Sequence, residues 1–349
     1  MISPALHRWL KINLGRSRLY HHLRWIIYRK QAPIHLKKYG LAVNKENIAL
    51  MKEAWLKYHW NFHEFHWYDY PKITEDKRAS FVSDYDKNVF CEKANTYDAN
   101  MIFHDKWETY LRFKDYYKRT VVLICKEEDL LSCDFKNFIK KNNRFIIKSV
   151  DASLGKGTEI ISVNSHTDAV SMLEPLVKKG GKYIVEELIS QSKDLSDVHP
   201  SSVNTVRITT FRFDSSTDII HPFIKFGTGG NFVDNGGKGG IICKINTDTG
   251  VIVAAVDESP RNYTHHPDTN VKLIGFKIPH WHSAIELARK LAEVVPGARY
   301  VGWDLALTDN GWVMVEGNEK GMFIGFQLPT QEGFREDFNN ICKKANIKM

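Results

Sequence analysis

The strongest constraint on this chain lies near its C-terminus, in the run Val301-Gly-Trp-Asp-Leu-Ala-Leu-Thr-Asp-Asn-Gly-Trp-Val-Met-Val-Glu-Gly-Asn318. Two apolar, strand-forming stretches flank Asp309-Asn310-Gly311, so the segment reads as a β-hairpin. A three-residue loop ending on a left-handed Gly311 sets Leu305 against Val315 and Leu307 against Val313 on one side. Asp304 then faces Glu316 on the other side, with Asn318 two residues further along that face. A two-residue loop would break this separation of apolar and oxygen-bearing faces. Opposed carboxylates repel each other unless something neutralises them. A divalent cation such as Mg²⁺ does so, since it takes oxygen ligands and needs few protein carboxylates when phosphates complete its shell. The blander alternative is a merely solvated polar face. It fits less well, because strands disfavour Asp and Asn.

Upstream, from about Thr120, short strands and helices alternate. Strands are expected at Val121–Cys125, Arg144–Ser149, Thr158–Val163 and Tyr183–Glu187, with helices at 129–140 and 167–178. A second block follows, with strands at 204–213, 219–226, 241–246, 251–256, 301–307 and 312–316 and a helix at 283–294. This order predicts a mixed α+β fold in two lobes. Lys148 ends a strand and precedes Ser153-Leu-Gly-Lys-Gly157. A lysine there can reach a nucleotide phosphate, and the N–H groups of a small glycine loop can lie over the β- and γ-phosphates. Taken alone, that pattern is more often an ordinary turn. Tyr183-Ile-Val-Glu-Glu-Leu188 offers main-chain groups for adenine, with Asp194 within reach of a ribose, although taken by itself a plain strand end is the favoured explanation. In Asn204-Thr-Val-Arg-Ile-Thr-Thr-Phe211, alternation sets Val206 and Ile208 on one face and Arg207 with Thr209 on the other. An Arg in a half-buried strand needs an anionic partner, either a ligand or a structural carboxylate. The glycine-rich segment Gly227 to Gly240, which carries Asn235, allows close backbone approach to a ligand or forms a surface loop.

The chain has 349 residues and a net charge of +8. Residues 1–45 hold ten Lys/Arg and no Asp or Glu, so the other 304 residues carry 39 basic and 41 acidic side chains. The body is therefore near neutral, which argues against a general nucleic-acid surface. Leu19, Leu23, Ile26 and Ile27 share one helical face of this arm. A basic amphipathic helix of this kind either rests on an anionic membrane or packs on the body with a solvated basic face. The aromatic-rich stretch 40–118 reads as a helical accessory region whose tryptophans form core. Five cysteines without metal spacing, no 18-residue apolar run and no signal-like h-region point to the cytoplasm. The expected units are 1–45 (arm), 46–118 (helical), 119–190 (Lys and glycine loop) and 191–349 (carboxylate pair).

Taken in order, these pieces resemble the ATP-grasp superfamily, an α+β fold whose two subdomains clamp ATP, here with a mainly helical N-terminal region. The Asp304, Glu316 and Asn318 spacing matches that family's metal triad. Asn204-Thr-Val-Arg207, Val233-Asp-Asn235 and His266-Pro-Asp268 are similar to its sugar-transfer-associated members in bacterial polysaccharide clusters. The resemblance implies that Lys148 and Lys156 contact ATP phosphates, that Glu186, Glu187 and Leu188 hold adenine, and that Asp194 holds the ribose. It places Ser153, Gly155 and Gly157 in the phosphate loop and counts Arg207, Lys148 and Asn235 as catalytic. Asp304, Glu316 and Asn318 would bind Mg²⁺, as two ions that Mn²⁺ can replace. It implies an ATP-dependent carboxylate–amine ligase acting through an acyl phosphate. The substrates would be an amine or amino acid and a small or lipid-linked saccharide; the arm's basic amphipathic pattern, apart from the resemblance, is what allows contact with the inner face of the cell membrane. A small-molecule kinase on the same fold and a non-catalytic nucleotide-binding protein at the membrane are the alternatives.

Overall fold

The computed structural model describes residues 4–15, 17–152, 157–230 and 239–349. Up to Tyr117 the described elements are helices: α1 (Pro4–Leu14), α2 (Arg18–Tyr28), α3 (Ala32–Lys38), α4 (Lys45–Tyr58), α5 (Phe62–Trp67), α6 (Glu75–Ser80), α7 (Asp84–Ala94), α8 (Tyr97–His104) and α9 (Lys106–Tyr117). Their starts are written locally. Asn44, Asn61, Thr74, Ser83, Thr96 and Asp105 each accept an orphan N–H of the helix that follows. The aromatics between α4 and α7 are core, as expected. Trp60, Phe65, Tyr68, Tyr70 and Phe81 cluster with Ile324 and Leu328 from the far end of the chain.

Four strands follow, β1 (Val121–Ile124), β2 (Arg144–Ser149), β3 (Thr158–Ser162) and β4 (Tyr183–Glu187), interleaved with α10 (Glu127–Leu130), α11 (Cys133–Lys141) and α12 (His166–Lys178). The helix expected over 129–140 is thus two, divided at Leu131 and Ser132, where Ser132 caps the second. The strands form an antiparallel sheet in the order β1-β4-β2-β3. Phe135, Phe138, Leu173 and Val177 of the helices bury the apolar side of Phe145, Ile147 and Val185.

After α13 (Lys193–Ser196), strands β5 (Thr205–Arg212), β6 (Thr217–Phe226), β7 (Ile241–Ile245) and β8 (Ile252–Val256) lead to α14 (Trp281–Val294). The hairpin β9 (Tyr300–Thr308) and β10 (Gly311–Asn318) and the helices α15 (Ile324–Gln327) and α16 (Arg335–Lys344) close the chain. The second sheet is antiparallel, in the order β10-β9-β5-β6-β7-β8. Trp281, Ala284, Ala288 and Leu291 of α14 share its apolar core with Val206, Ile208 and Leu305. On β10 and β6, bulges flank the regular β5–β9 pair. In β6 the bulge falls at His221 and Pro222, where proline has no N–H to give to the ladder.

The hairpin corrects one expectation. Its loop is two residues, so Leu307 faces Trp312 and Leu305 faces Met314, rather than Val313 and Val315. The register then shifts between Met314 and Glu316, and this single-residue bulge restores Asp304 opposite Glu316 and brings Asn318 opposite Gly302. Gly311 is left-handed, with φ +92°. A local loop count could not show that a bulge further down would undo the shorter turn.

Candidate functional site

Arg207 and Asp304 are register partners on β5 and β9, two adjacent inner strands of the large sheet. Both are buried, and they meet side-on in a two-pronged pair. Arg207 Nε donates to Asp304 Oδ1, and Arg207 Nη2 donates to Oδ2 at 2.6 Å. Lys225 Nζ adds a donor to the same Oδ2 at 3.3 Å. Burial by itself would raise the Asp304 carboxyl, but the charges of Arg207 and Lys225 outweigh it and hold the group well below the usual carboxylate range. The same pairing, working against desolvation, holds the Arg207 guanidinium above its ordinary value. Gly302 makes room for this arginine: a Cβ there would sit 3.0 Å from Arg207 Cδ and 3.3 Å from Gly321 Cα.

Glu316 is exposed beside this pair, and Asn318 Nδ2 donates to Glu316 Oε1 at 3.2 Å, which leaves the amide oxygen as a ligand. Two carboxylates and an amide oxygen form an all-oxygen donor set, the chemistry a hard divalent cation requires. The four charges of Arg207, Lys225, Asp304 and Glu316 already balance. A divalent cation therefore fits here together with phosphate rather than alone.

In the small sheet, Glu186 is buried and fully engaged. Lys148 Nζ donates to its Oε2 at 2.7 Å, and Arg119 Nε donates to its Oε1 at 2.6 Å. Burial works to raise this carboxyl, yet the two cations bring it down to about 2. The Glu186 carboxylate is thus committed to Lys148. Glu187 accepts from Thr120 N at 3.1 Å, Leu188 lies just past the last paired residue of β4, and Asp194 is exposed on α13. Gly157 closes the β2–β3 loop with φ +66°, and its carbonyl accepts from Ser149 N at 3.2 Å. Ser153, Gly155, Lys156 and Asn235 lie outside the described residues.

Two cations absent from the sequence reading stand at these halves, and Arg119 joins them. Arg119 follows α9 and donates to Glu186 in one sheet and to Met314 O in the other at 2.6 Å, and it lies 3.5 Å from Val315 O. It thereby grips the backbone at the β10 bulge, with its guanidinium 4.4 Å from the Tyr117 ring centroid. Lys106, the first residue of α9, donates to Ser149 O at 2.9 Å and to Ala152 O. Burial lowers its pKa, with Glu316 opposing and Lys148 reinforcing the shift, so it feels charges from both sheets. Neither residue stands in a motif. The one sequence signal for Lys106 is the N-cap Asp105 before it, and Arg119 has none.

The flanks of the glycine-rich segment are also fixed. Buried His199 contacts Ser202 Oγ at 2.9 Å and Gly229 O at 3.0 Å, buried His266 contacts Gly227 O at 2.8 Å, and Gly229 N donates to Asp268 at 2.6 Å. Fully buried Asn204 donates to Leu195 O and His199 O at 3.0 and 2.8 Å, tying β5 to the same corner. Among the described residues no helix is long and apolar enough to cross a membrane.

Among solved structures the chain is similar to D-alanyl-alanine synthetase A from Vibrio cholerae, at 12% identity and TM-score 0.46, over 73% of this chain and 68% of that one. It is similar to phosphoribosylamine–glycine ligase from Thermotoga maritima, at 12% identity and TM-score 0.45, over 73% of this chain and 57% of that one. A third is D-alanine–D-alanine ligase from Bacillus anthracis, at 11% identity and TM-score 0.44, over 72% and 70%. No curated protein matches. The model of the sugar-transfer associated ATP-grasp family matches residues 86–343, a span that runs from α7 to α16 and takes in both sheets, the Lys148–Glu186 pair and the Arg207–Asp304 pair. The chain therefore belongs to the sugar-transfer associated ATP-grasp family.

Proposed function

We propose that this protein is an ATP- and Mg²⁺-dependent carboxylate–amine ligase. The observation that carries the reading is the convergence of two charged clusters, Lys148–Glu186 and Arg207–Asp304–Glu316, joined by Arg119 and flanked by Lys106. Lys148 from the small sheet and Lys106 from the start of α9 supply positive charge toward nucleotide phosphates. Arg207 faces the transferred phosphoryl group from the large one, and Glu187 and Leu188 hold the adenine edge with Asp194 at the ribose. In this reading Ser153, Gly155, Lys156 and Gly157 are assigned to binding the phosphates and Asn235 to catalysis. Mg²⁺, held as two ions by Asp304, Glu316 and Asn318 and replaceable by Mn²⁺, neutralises phosphate charge when bound.

A substrate carboxylate oxygen attacks the γ-phosphorus, the bond to the β,γ-bridging oxygen breaks, and ADP leaves. An amine then attacks the acyl carbon, and phosphate departs as the amine loses its proton. The two steps replace oxide, an impossible leaving group, with phosphate. Preorganised cations around the phosphoryl oxygens provide most of the rate. The family match supports a saccharide unit or its lipid-linked precursor as one substrate and an amine or amino acid as the other. The basic arm supports work in the cytoplasm at the inner face of the membrane.

Hydroxylamine trapping tests the chemistry. ADP formation should depend on the carboxylate, phosphate should appear in equal amount once amine is added, and a hydroxamate should accumulate when hydroxylamine replaces the amine. ADP without free phosphate, with a phosphorylated sugar or alcohol as product, would replace the ligase with a kinase. No turnover with any acceptor, despite nucleotide binding, would favour a non-catalytic role.

A further inference from the structure

Helix α2 is apolar on two opposite sides. Its inner side is buried through His21 and Trp25. The Trp55 indole of α4 donates to His21 O at 3.1 Å, and Arg24 lies over the rings of Tyr28, Trp55 and Tyr85 at 5.3, 5.5 and 5.2 Å. The packing of this helix on the body is therefore complete. Yet Leu19, Leu23, Ile26 and Ile27 are 71, 54, 56 and 69% exposed. At about 100° per residue these four fall within an arc of about 100°, opposite the one that holds His21 and Trp25. The apolar stripe is thus not the face that packs on the body. Ile34 of α3 is 67% exposed as well. A contiguous stripe of large aliphatic side chains on a finished helix marks a surface that something else covers.

Charge decides what covers it. Residues 1–45 hold ten Lys/Arg and no Asp or Glu; Arg18 on α2 and Arg29 and Lys30 directly after it are exposed, as are Lys37 and Lys38 of α3. A second copy meeting here would bring the same cations face to face. An anionic bilayer complements both features at once: its headgroup phosphates meet the cations and its acyl boundary receives the aliphatic chains.

We infer that the outer face of α2 is a lipid-docking surface that seats Leu19, Leu23, Ile26 and Ile27 in the interfacial layer of an anionic membrane. This deepens the reading that the protein works at a membrane on a lipid-linked acceptor. It makes α2 an interfacial helix, short and parallel to the surface, with the rest of the fold held above it.

Vesicle sedimentation of the full chain tests the assignment. Vesicles of mixed phosphatidylcholine and phosphatidylglycerol should bind at least about tenfold more tightly than phosphatidylcholine alone. The Leu23→Ser/Ile27→Ser double variant should lose about tenfold or more of that binding, with an unchanged melting temperature. The Arg29→Gln/Lys30→Gln variant should weaken binding at low salt and leave less for high salt to release. ATP turnover on a water-soluble carboxylate, measured without vesicles, should be the same in all three proteins. A failure of docking is thereby read separately from a failure of ligase chemistry. Absence of binding to the mixed vesicles, or equal binding by the Leu23/Ile27 variant, overturns the inference. So does concentration-dependent self-association that this variant abolishes while neither protein binds lipid, since the covering surface is then a second copy.

Discussion

Asp304 and Glu316 oppose each other in the sheet, but their surroundings make them unequal targets for substitution. Asp304→Asn leaves Arg207 and Lys225 without their buried anion, so it should cost about 3–5 kcal/mol of stability as well as activity. Glu316→Gln alters an exposed side chain and should change stability by no more than about 0.5 kcal/mol. Its turnover should still fall by at least about 10²-fold if it holds the cation. Thermal melts alongside Mg²⁺ titrations of turnover separate the two effects, and undiminished turnover of folded Glu316→Gln would remove it from the cation site. Arg207→Lys keeps the charge and loses the planar fork that now spans both Asp304 oxygens. Turnover should drop far more than ATP affinity, and an equal fall in both would make Arg207 a structural residue. The Asp304–Glu316 opposition expected from a three-residue loop is present, but it is reached through a two-residue loop and a bulge that local alternation does not contain. The partner of Arg207 was not legible in the sequence, since pairing β5 with β9 joins positions 97 residues apart.

The β10 bulge shows how an element can reach the expected end by an unexpected route. Gly311 adopts the left-handed conformation its position called for, but the turn is one residue shorter, and the bulge beside Val315 makes up the difference. What steadies the bulge is tertiary: Arg119 donates to Met314 O while its guanidinium also holds Glu186. No pattern within β10 could announce an arginine that arrives from the end of α9. Arg119→Met should therefore loosen the Asp304–Glu316 opposition without touching either residue. The expected signature is a Mg²⁺ activation constant raised by about tenfold or more at saturating ATP, partly rescued in Arg119→Lys. The size follows from the 10–100-fold penalties usual for residues that orient metal ligands. A uniform loss of folded protein with unaltered Mg²⁺ dependence would reduce Arg119 to a structural tie.

At the scale of the whole molecule, buried carboxylates held low should make the fold sensitive to acid. Glu186, lowered to about 2 in the fold, contributes stability that is fully present above its ordinary value of 4.5 and is lost as pH falls from 4.5 toward 2. Asp304 acts in the same direction. Melting temperature should decline steeply below about pH 4.5, and Glu186→Gln should flatten that decline while starting from a lower stability at neutral pH. A wild-type acid limb unchanged in Glu186→Gln would contradict the pairing. The α+β body was readable from alternating strands and helices, and the region before Val121 was readable as helical with an aromatic core, though not in how its helices pack. How α9 delivers Lys106 and Arg119 to the seam between the sheets depends on packing that no short window of sequence contains. Arg119 also has a mechanical meaning. It fastens the small sheet to the large one at β4, beside the β1 edge, whereas β2 and β3 lie one and two strands further out, at about 4.8 Å per strand. If the small sheet rocks, that fastening is the fulcrum and the β2–β3 hairpin is the tip of the lever. The outer strand β3 then sweeps the widest arc, while Lys148 keeps its hold on Glu186 close to the pivot.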